Sequence, residues 1–473
     1  MERNGKYMKE RESFGSRLGF ILVAAGCAIG LGNVWKFPWM VGENGGGIFV
    51  LIYFVFLLLL GFPILIMEFS LGRASQASPV RLYQKLEKKG QKWHIHGYGA
   101  LIANVLLVMF YTSVSGWILY YFINFLMGNM TGISEIASKN LFSDMISNPI
   151  VSVGFVAIIV LLGFLILSFG LQNGVEKVTK YMMIALVLLM IVMAVNSFTL
   201  SGAKAGLTFY LKPDFGKING GVVVAAMNQA FFTLSLGIGS MAIFGSYIGK
   251  ERSLAGESIN VLVLDTFVAI MSGLIIFPAC FTFDVEPTKG PELLFGAMAN
   301  VFNNMNGGRW WGSLFFLFMF FAAMSTIIAV FQNILACVSE ITSWKRGKTC
   351  IICGISIFVL SLPCALGFNI LSDITPFTSG SSILDLEDFL VTNIMLPLGA
   401  LCYVLFCVSK YGWGFDNFLN EANTGKGLKL KSWTRYYLKF VLPVIIIFVF
   451  IVGILNFEFT DNFTIMGWLK SII

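Results

Sequence analysis

The run Gly26-Cys27-Ala28-Ile29-Gly30-Leu31-Gly32-Asn33 interrupts an apolar span covering residues 15–40. A second run, Phe231-Phe232-Thr233-Leu234-Ser235-Leu236-Gly237-Ile238-Gly239-Ser240, interrupts another at 219–247. Glycine is the poorest ordinary helix former, and two glycines within three residues weaken a helix where they fall. Inside a bilayer, a main-chain group freed from its helix persists only if it is buried in protein or faces a wet cavity. Breaks at matching places in two halves of a membrane chain point to a midplane substrate and ion site in a secondary transporter.

The rest of the chain is apolar to match. It has 473 residues, a mean hydropathy of +0.81, 57% hydrophobic and only 12% charged residues, about half the charge of a soluble domain at roughly 25%. Spanning a bilayer as helix takes about 20 apolar residues. Eleven segments qualify, at 15–40, 47–72, 97–127, 150–170, 176–198, 219–247, 256–283, 311–341, 349–369, 385–409 and 436–456. The fold class is therefore all-α integral membrane, with 97–127 and 311–341 long enough to tilt. The net charge of +7 does not signal nucleic-acid binding. With the N-terminus in the cytoplasm, 24 of the 32 Lys and Arg fall on the cytoplasmic side, seven fall outside, and Lys36 lies within a span. This is the positive-inside bias. An odd number of spans then places residues 457–473 outside.

No soluble domain interrupts residues 1–473, which read as a single transmembrane unit. The polar stretch 410–435 reads as a cytoplasmic connector, and 128–149 and 284–310, with Pro287 and Pro291, as external loops. Spans one to five and six to ten each begin with a glycine-broken helix. Five is odd, so the second set enters the membrane from the opposite side. The expectation is a 5+5 inverted repeat, 12–200 and 219–411, with discontinuous helices 1 and 6 and an extra eleventh helix at 436–456.

Charges within spans are rare, costly and usually functional. Asp265 lies in Val261-Leu262-Val263-Leu264-Asp265-Thr266-Phe267. It reads either as a structural, hydrogen-bonded acid or as a cation ligand. The second is favoured because no Lys or Arg lies near it in sequence and the sixth-span break offers carbonyls. Ser325 and Thr326 offer hydroxyls, although helical Ser and Thr commonly bond the carbonyl one turn back. Asn33 reads equally as a cap on a restarting helix or as an ion ligand. Glu68 either accepts amides freed at a break or faces the cytoplasm. Lys36 and Asp388 read as solvated span ends, Tyr111 and Phe232 as packing. The first span is too long and glycine-rich for a signal peptide. The eight cysteines, with Cys350-x-x-Cys353 opening the ninth span, read as buried, inert thiols. His94 and His96 lie in a basic loop without nearby Cys or carboxylate partners, which argues against a metal site there. The chain has no Walker loop, HExxH or GxSxG, which disfavours an ATP-driven pump or a membrane enzyme.

The stretch from Gly15-Ser16-Arg17-Leu18-Gly19-Phe20 through Gly30-Leu31-Gly32-Asn33-Val34-Trp35-Lys36-Phe37-Pro38 to Glu43-Asn44-Gly45-Gly46-Gly47 resembles the first-helix signature of the neurotransmitter:sodium symporter family. Met67-Glu68-Phe69-Ser70-Leu71-Gly72-Arg73 and Gln229-Ala230-Phe231-Phe232-Thr233-Leu234-Ser235-Leu236-Gly237 match as well. Eleven spans resemble the bacterial branch that carries tyrosine, tryptophan and other hydrophobic amino acids. That family is also the type case for the paired-break rule. The resemblance implies two sodium ions. One would sit on the Ala28 carbonyl, Asn33, Thr233, Asp265 and the substrate carboxylate. The other would sit on carbonyls of Gly26, Ile29 and Ala322 and the hydroxyls of Ser325 and Thr326. It implies that the substrate carboxylate meets the amides of Leu31 and Gly32 and the Tyr111 hydroxyl. The amine would meet carbonyls near Ala28, Phe232 and Ser235, and Leu107, Phe232, Ile238 and Val330 would line the side-chain pocket, beside Thr326. Phe232 and Tyr111 would form an outer lid beneath Lys36, Gln229 and Asp388. Arg11, Tyr247 and Glu340 would close the cytoplasmic side.

Departures from the family pattern refine these expectations. Many members carry Asn where this chain has Asp265, and chloride-dependent ones carry Ser where it has Ala269. A fixed carboxylate would do the work of chloride, so transport is expected to be chloride-independent. Lys36 replaces a usual Arg and cannot make the planar bidentate bond; Glu340 replaces a usual Asp. The implied activity is sodium-coupled symport of a hydrophobic or aromatic amino acid across the cytoplasmic membrane by alternating access. Alternatives are an osmolyte or small-amine symporter, or a channel or non-transporting sensor on the same fold. Oligomeric state is not legible.

Overall fold

The computed structural model describes residues 12–130, 133, 135–285, 292–460 and 463–465. Helix Arg17–Ala28 (α1) starts at Ser16, whose hydroxyl accepts the Gly19 amide as an N-cap. It stops at Ile29, which is extended. The chain restarts as Gly32–Glu43 (α2), bent 54° from α1, and opens on a wide π turn over Gly32–Lys36. There follow Gly47–Ser75 (α3), His94–Met127 (α4), Pro149–Ser168 (α5) and Leu171–Ser197 (α6).

The second break is sharper. Gly220–Thr233 (α7) gives way to a turn before Ser240–Gly245 (α8). In between, Ser235 (φ 49°), Gly237 (φ 94°) and Gly239 (φ 73°) have left-handed backbones, which no right-handed helix can contain. Leu254–Thr282 (α9), Gly308–Thr342 (α10), Arg346–Leu366 (α11), Ile383–Val408 (α12) and Thr434–Leu455 (α13) complete the set. Among the described residues nine helices are long and apolar enough to cross a membrane, the bent pair α1–α2 passes when taken together, and α7 is shorter.

Helices α4 and α10 run against each other through the interior, with α1, α5 and α6 packed on α10, and α9 on α1 and α6. Outer helices turn large apolar side chains outward: Leu161, Leu188, Ile355 and Val444 are exposed. Asn33, Glu68, Gln229, Asp265 and Ser325 are buried. Polar groups inside and hydrocarbon outside is the arrangement a bilayer selects.

Three expectations change. The stretch 410–435 is more than a connector: it contains the helix Phe415–Ala422, whose Phe418 is buried. Arg73, at the end of α3, fixes it by donating to the Glu421 carboxylate at 2.6 Å and to the carbonyls of Glu421 and Arg252. Helix α4 begins at His94, not 97. His94 does have a carboxylate partner, with Glu87 at 2.6 Å from Nδ1, and His96 Nδ1 lies 2.7 Å from the Tyr83 hydroxyl. Among the described residues no cluster of three metal-ligating side chains forms. The stretches 128–149 and 284–310 hold helices at Glu135–Ser147, Glu292–Met298 and Ala299–Asn304; Pro287 and Pro291 lie outside the described residues. All eight cysteines are free thiols, Cys350 and Cys353 both buried.

Candidate substrate and ion site

The two breaks free main-chain groups, and neighbouring helices satisfy them. The Leu31 amide donates to the Tyr111 hydroxyl of α4 at 2.7 Å, and the Gly30 amide to Asn33 Oδ1 at 3.3 Å. Across the second break, the Gly237 amide donates to the buried Glu68 carboxylate of α3 at 2.6 Å. Asn104 Nδ2 donates to the Ile238 carbonyl at 2.7 Å. Gln229 Nε2 ties the breaks together by donating to the Gly32 carbonyl at 2.9 Å. Glu68 therefore serves the break and does not face the cytoplasm, and Tyr111 does more than pack. An unwound segment this deep persists only where its freed main-chain groups find partners of this kind.

Two oxygen-rich nests lie beside the breaks. In the first, Asn33 Nδ2 donates to Asp265 Oδ1 at 2.8 Å and to the Asp265 carbonyl at 3.1 Å. Thr233 Oγ1 is 3.3 Å from the same carboxylate, and Ser272 Oγ holds the Asn33 carbonyl at 2.8 Å. Asp265 is fully buried and, among the described residues, forms no ion pair. Asn33 does not cap the restarting helix, whose first turn begins after Leu31 with no side-chain cap; its side chain instead accepts the Gly30 amide and donates to Asp265. In the second nest, Thr326 Oγ1 lies 3.3–3.4 Å from the carbonyl oxygens of Gly26, Cys27, Ile29 and Ala322. Ser325 Oγ lies 2.9 Å from Ala322 O and 3.4 Å from Ile29 O. One hydroxyl has one proton to donate. Four carbonyls around it form a partly negative pocket with the oxygen chemistry that hard cations require.

Between the nests lies a small cavity of about 20 Å³, lined by Ala28, Gly30, Gly32, Leu107, Tyr111, Phe232, Thr233, Ser235, Ile238, Thr326, Val391 and Leu396. Above it, a vestibule of about 390 Å³ is lined by Leu31, Lys36, Tyr111, Phe232 and Asp388, among others. Phe232 and Tyr111 thus belong to both spaces and separate them. Lys36 Nζ stands 3.9 Å from the centre of the Phe232 ring, a cation–π contact, and Asp388 Oδ1 accepts from Thr392 at 2.8 Å. Tyr247 and Glu340 line a separate cleft. The Tyr247 hydroxyl accepts from Gln332, and Glu340 accepts the amide and hydroxyl of Ser78. Arg11 lies outside the described residues. Val330 is fully buried in α10 but does not line the cavity. Leu31 opens on the vestibule.

Sequence reasoning missed several residues. Val391 and Leu396 of α12 and Gly30 line the cavity. Glu176 of α6 accepts the Gly15 and Ser16 amides and the Ser16 hydroxyl at 2.7, 3.1 and 2.9 Å. Arg17 bonds Glu257 at 3.0 Å. The one available signal was the acid in Val175-Glu176-Lys177, at the edge of an apolar span.

Comparison with known proteins converges on one group. The profile described as the sodium:neurotransmitter symporter family matches residues 11–144 and 143–472. An uncharacterized sodium-dependent transporter of Bacillus subtilis (strain 168) is 36% identical over 446 residues, covering 93% of this chain and 98% of that one. Another, from Haemophilus influenzae, is 33% identical, covering 94% and 98%. Among solved structures, the crystal structure of MhsT in complex with L-phenylalanine superposes with a TM-score of 0.85 at 36% identity, covering 94% of this chain and all of that chain.

Proposed function

The chain belongs to the sodium:neurotransmitter symporter family, and from that premise we propose that it couples sodium entry to uptake of an apolar amino acid across the cytoplasmic membrane. The observation that carries this reading is that two oxygen-rich nests open on one cavity, through Ala28 and Thr233 on one side and Thr326 on the other. Sodium in the first nest is held by the Ala28 carbonyl, Thr233, Asp265 and Asn33, whose side chain swings its oxygen inward in place of the amide now facing Asp265. Sodium in the second is held by carbonyls of Gly26, Ile29 and Ala322 with Ser325 and Thr326. The substrate carboxylate meets the first sodium, the Leu31 and Gly32 amides and the Tyr111 hydroxyl. Its amine meets carbonyls near Ala28, Phe232 and Ser235. Because carboxylate and sodium share a coordination shell, each raises the other's affinity.

Helices α1–α6 and α7–α12 form the two opposed sets, 12–200 and 219–411, with α13 outside them. The N-terminus is cytoplasmic and the C-terminus external. Alternating access follows as the bundle of α1–α3 and α7–α9 rocks against the rest. Leu107, Phe232 and Ile238 are apolar, and phenylalanine is the amino acid in the MhsT complex, so a hydrophobic or aromatic cargo fits best. Two sodium ions and a zwitterion bring two positive charges; the Asp265 carboxylate offsets one of them, which makes chloride unnecessary.

The test is uptake by purified protein in liposomes under an inward sodium gradient, after a thermal-shift screen of the amino acids with and without sodium. Accumulation of leucine, phenylalanine or tryptophan that survives replacement of chloride by gluconate is the expected result. Cargo that only runs down its own gradient would make the protein a channel, and loss of uptake in gluconate would refute the role given to Asp265.

A further inference from the structure

The cavity has a wall that the motifs around the two breaks do not announce. Val391 and Leu396 line it from α12, and both are buried. They are five residues apart. In an ordinary α-helix that separation turns side chains about 140° away from each other, so only one of them would face the cavity. Here Leu390–Met395 is a π turn, and the Leu396 amide donates to the Val391 carbonyl. That i→i+5 bond brings the two side chains toward one face. Pro397 follows at once and has no N–H to return to the Asn393 carbonyl, which favours the wide turn.

The same segment touches the unwound stretch between α7 and α8. A Cβ on Gly237 would stand 2.2 Å from the Leu396 carbonyl oxygen, and one on Gly399 would stand 2.1 Å from the Gly237 carbonyl oxygen. The main chains are therefore in direct contact. The position of Val391 is thereby tied to the unwound segment that carries Ser235 and Ile238, which line the same cavity.

Resting on the symport reading above, we propose that Val391 is a specificity-determining residue, its isopropyl group setting the upper size limit of the apolar side chain the site accepts. The cavity measures only about 20 Å³, room for about one water. A wall change of one or two methyl groups is large on that scale. Contacts of this size separate competing apolar substrates by roughly 10-fold or more. Leu396 backs the same wall and holds the unwound segment in register.

The experiment measures sodium-dependent binding of tryptophan and of leucine to purified full-length protein, and takes the ratio of the two affinities. Val391→Ala should shift the ratio toward tryptophan by about 10-fold, and Val391→Ile toward leucine by a similar factor. Val404→Ala, an equally buried valine of α12 away from the cavity, should leave it unchanged. Should either size variant fail to fold, the isosteric Val391→Thr decides: it should weaken binding of both cargoes while keeping their order. A ratio unmoved in the Ala and Ile variants, an equal shift in Val404→Ala, or no weakening in Val391→Thr would overturn the proposal with symport intact. A wild-type protein that binds neither amino acid with sodium would instead overturn the symport reading and this assignment together.

Discussion

At the scale of single residues, the sharpest question is what Asp265 does. It is fully buried and is met by Asn33 and Thr233, two neutral donors that a cation can displace. Asp265→Ala removes the only charge in the first nest and should weaken sodium and substrate together, by roughly 10- to 100-fold each. Isothermal titration of each ligand, with the other present and absent, checks this; a variant with wild-type sodium dependence would separate the acid from the site. Thr326→Val keeps the volume of α10 but deletes the hydroxyl among four carbonyls. Sodium affinity should fall by roughly 10- to 100-fold, with the fold unharmed, since a lost charge-assisted contact is worth about 1.5–3 kcal/mol. Equilibrium sodium binding is the readout. Asp265 stood out in the sequence because a charge within an apolar span is rare; Thr326 had the ordinary reading of a hydroxyl bonding one turn back, and only the family resemblance singled it out. Glu176 was not legible: an acid at the membrane edge looks solvated, and only the fold shows that Gly15 and Ser16 come to it. Val391 had no signal at all, being one more valine in an apolar helix.

At the scale of elements, glycine made the breaks readable, and packing explains why they are tolerated. Gly237 has φ 94° and lies against the α12 main chain. Gly237→Ala therefore meets both a strained backbone, about 1–3 kcal/mol, and a fixed carbonyl oxygen that cannot step aside. Purified variant protein should melt well below the wild type, and sodium should restore less of the loss than it adds to the wild type. An unchanged melting temperature would mean that α12 does not press on the unwound segment. The break was foreseeable at Gly237 and Gly239, because glycine accepts left-handed backbone; Ser235, at φ 49°, was not, since an L side chain rarely adopts it. The π turn at Leu390–Met395 was not, because hydrophobic periodicity hardly registers one extra residue per turn. The amphipathic helix Phe415–Ala422 was hidden in a polar stretch for a related reason: its order comes from Arg73, more than three hundred residues away in sequence.

At the scale of the whole molecule, the proposed alternating access requires that the N-terminal half of the first span can let go. Helix α1 is held at that end by Glu176, which takes three donors from Gly15 and Ser16, and by Arg17 on Glu257. Gly19 allows this closeness, since a Cβ there would sit 1.9 Å from the Glu176 carboxylate. Glu176→Gln preserves the shape but trades charged acceptors for one neutral oxygen. Losing charge-assisted bonds of about 1.5–3 kcal/mol should move the balance toward an inward-open form by roughly 10-fold or more. Cys27, in α1 and fully buried, is a native reporter of that movement. Maleimide labelling read peptide by peptide by mass spectrometry should rise at Cys27 in Glu176→Gln, and saturating sodium should suppress it by favouring the closed cytoplasmic side. The buried Cys407 of α12, far from the moving segment in sequence and set in the opposing helices, should label as slowly as in the wild type. A rise at both thiols would mean general loosening of the bundle; a rise at Cys27 alone that sodium reverses would tie the grip of one carboxylate on one half-helix to the direction in which the whole protein opens.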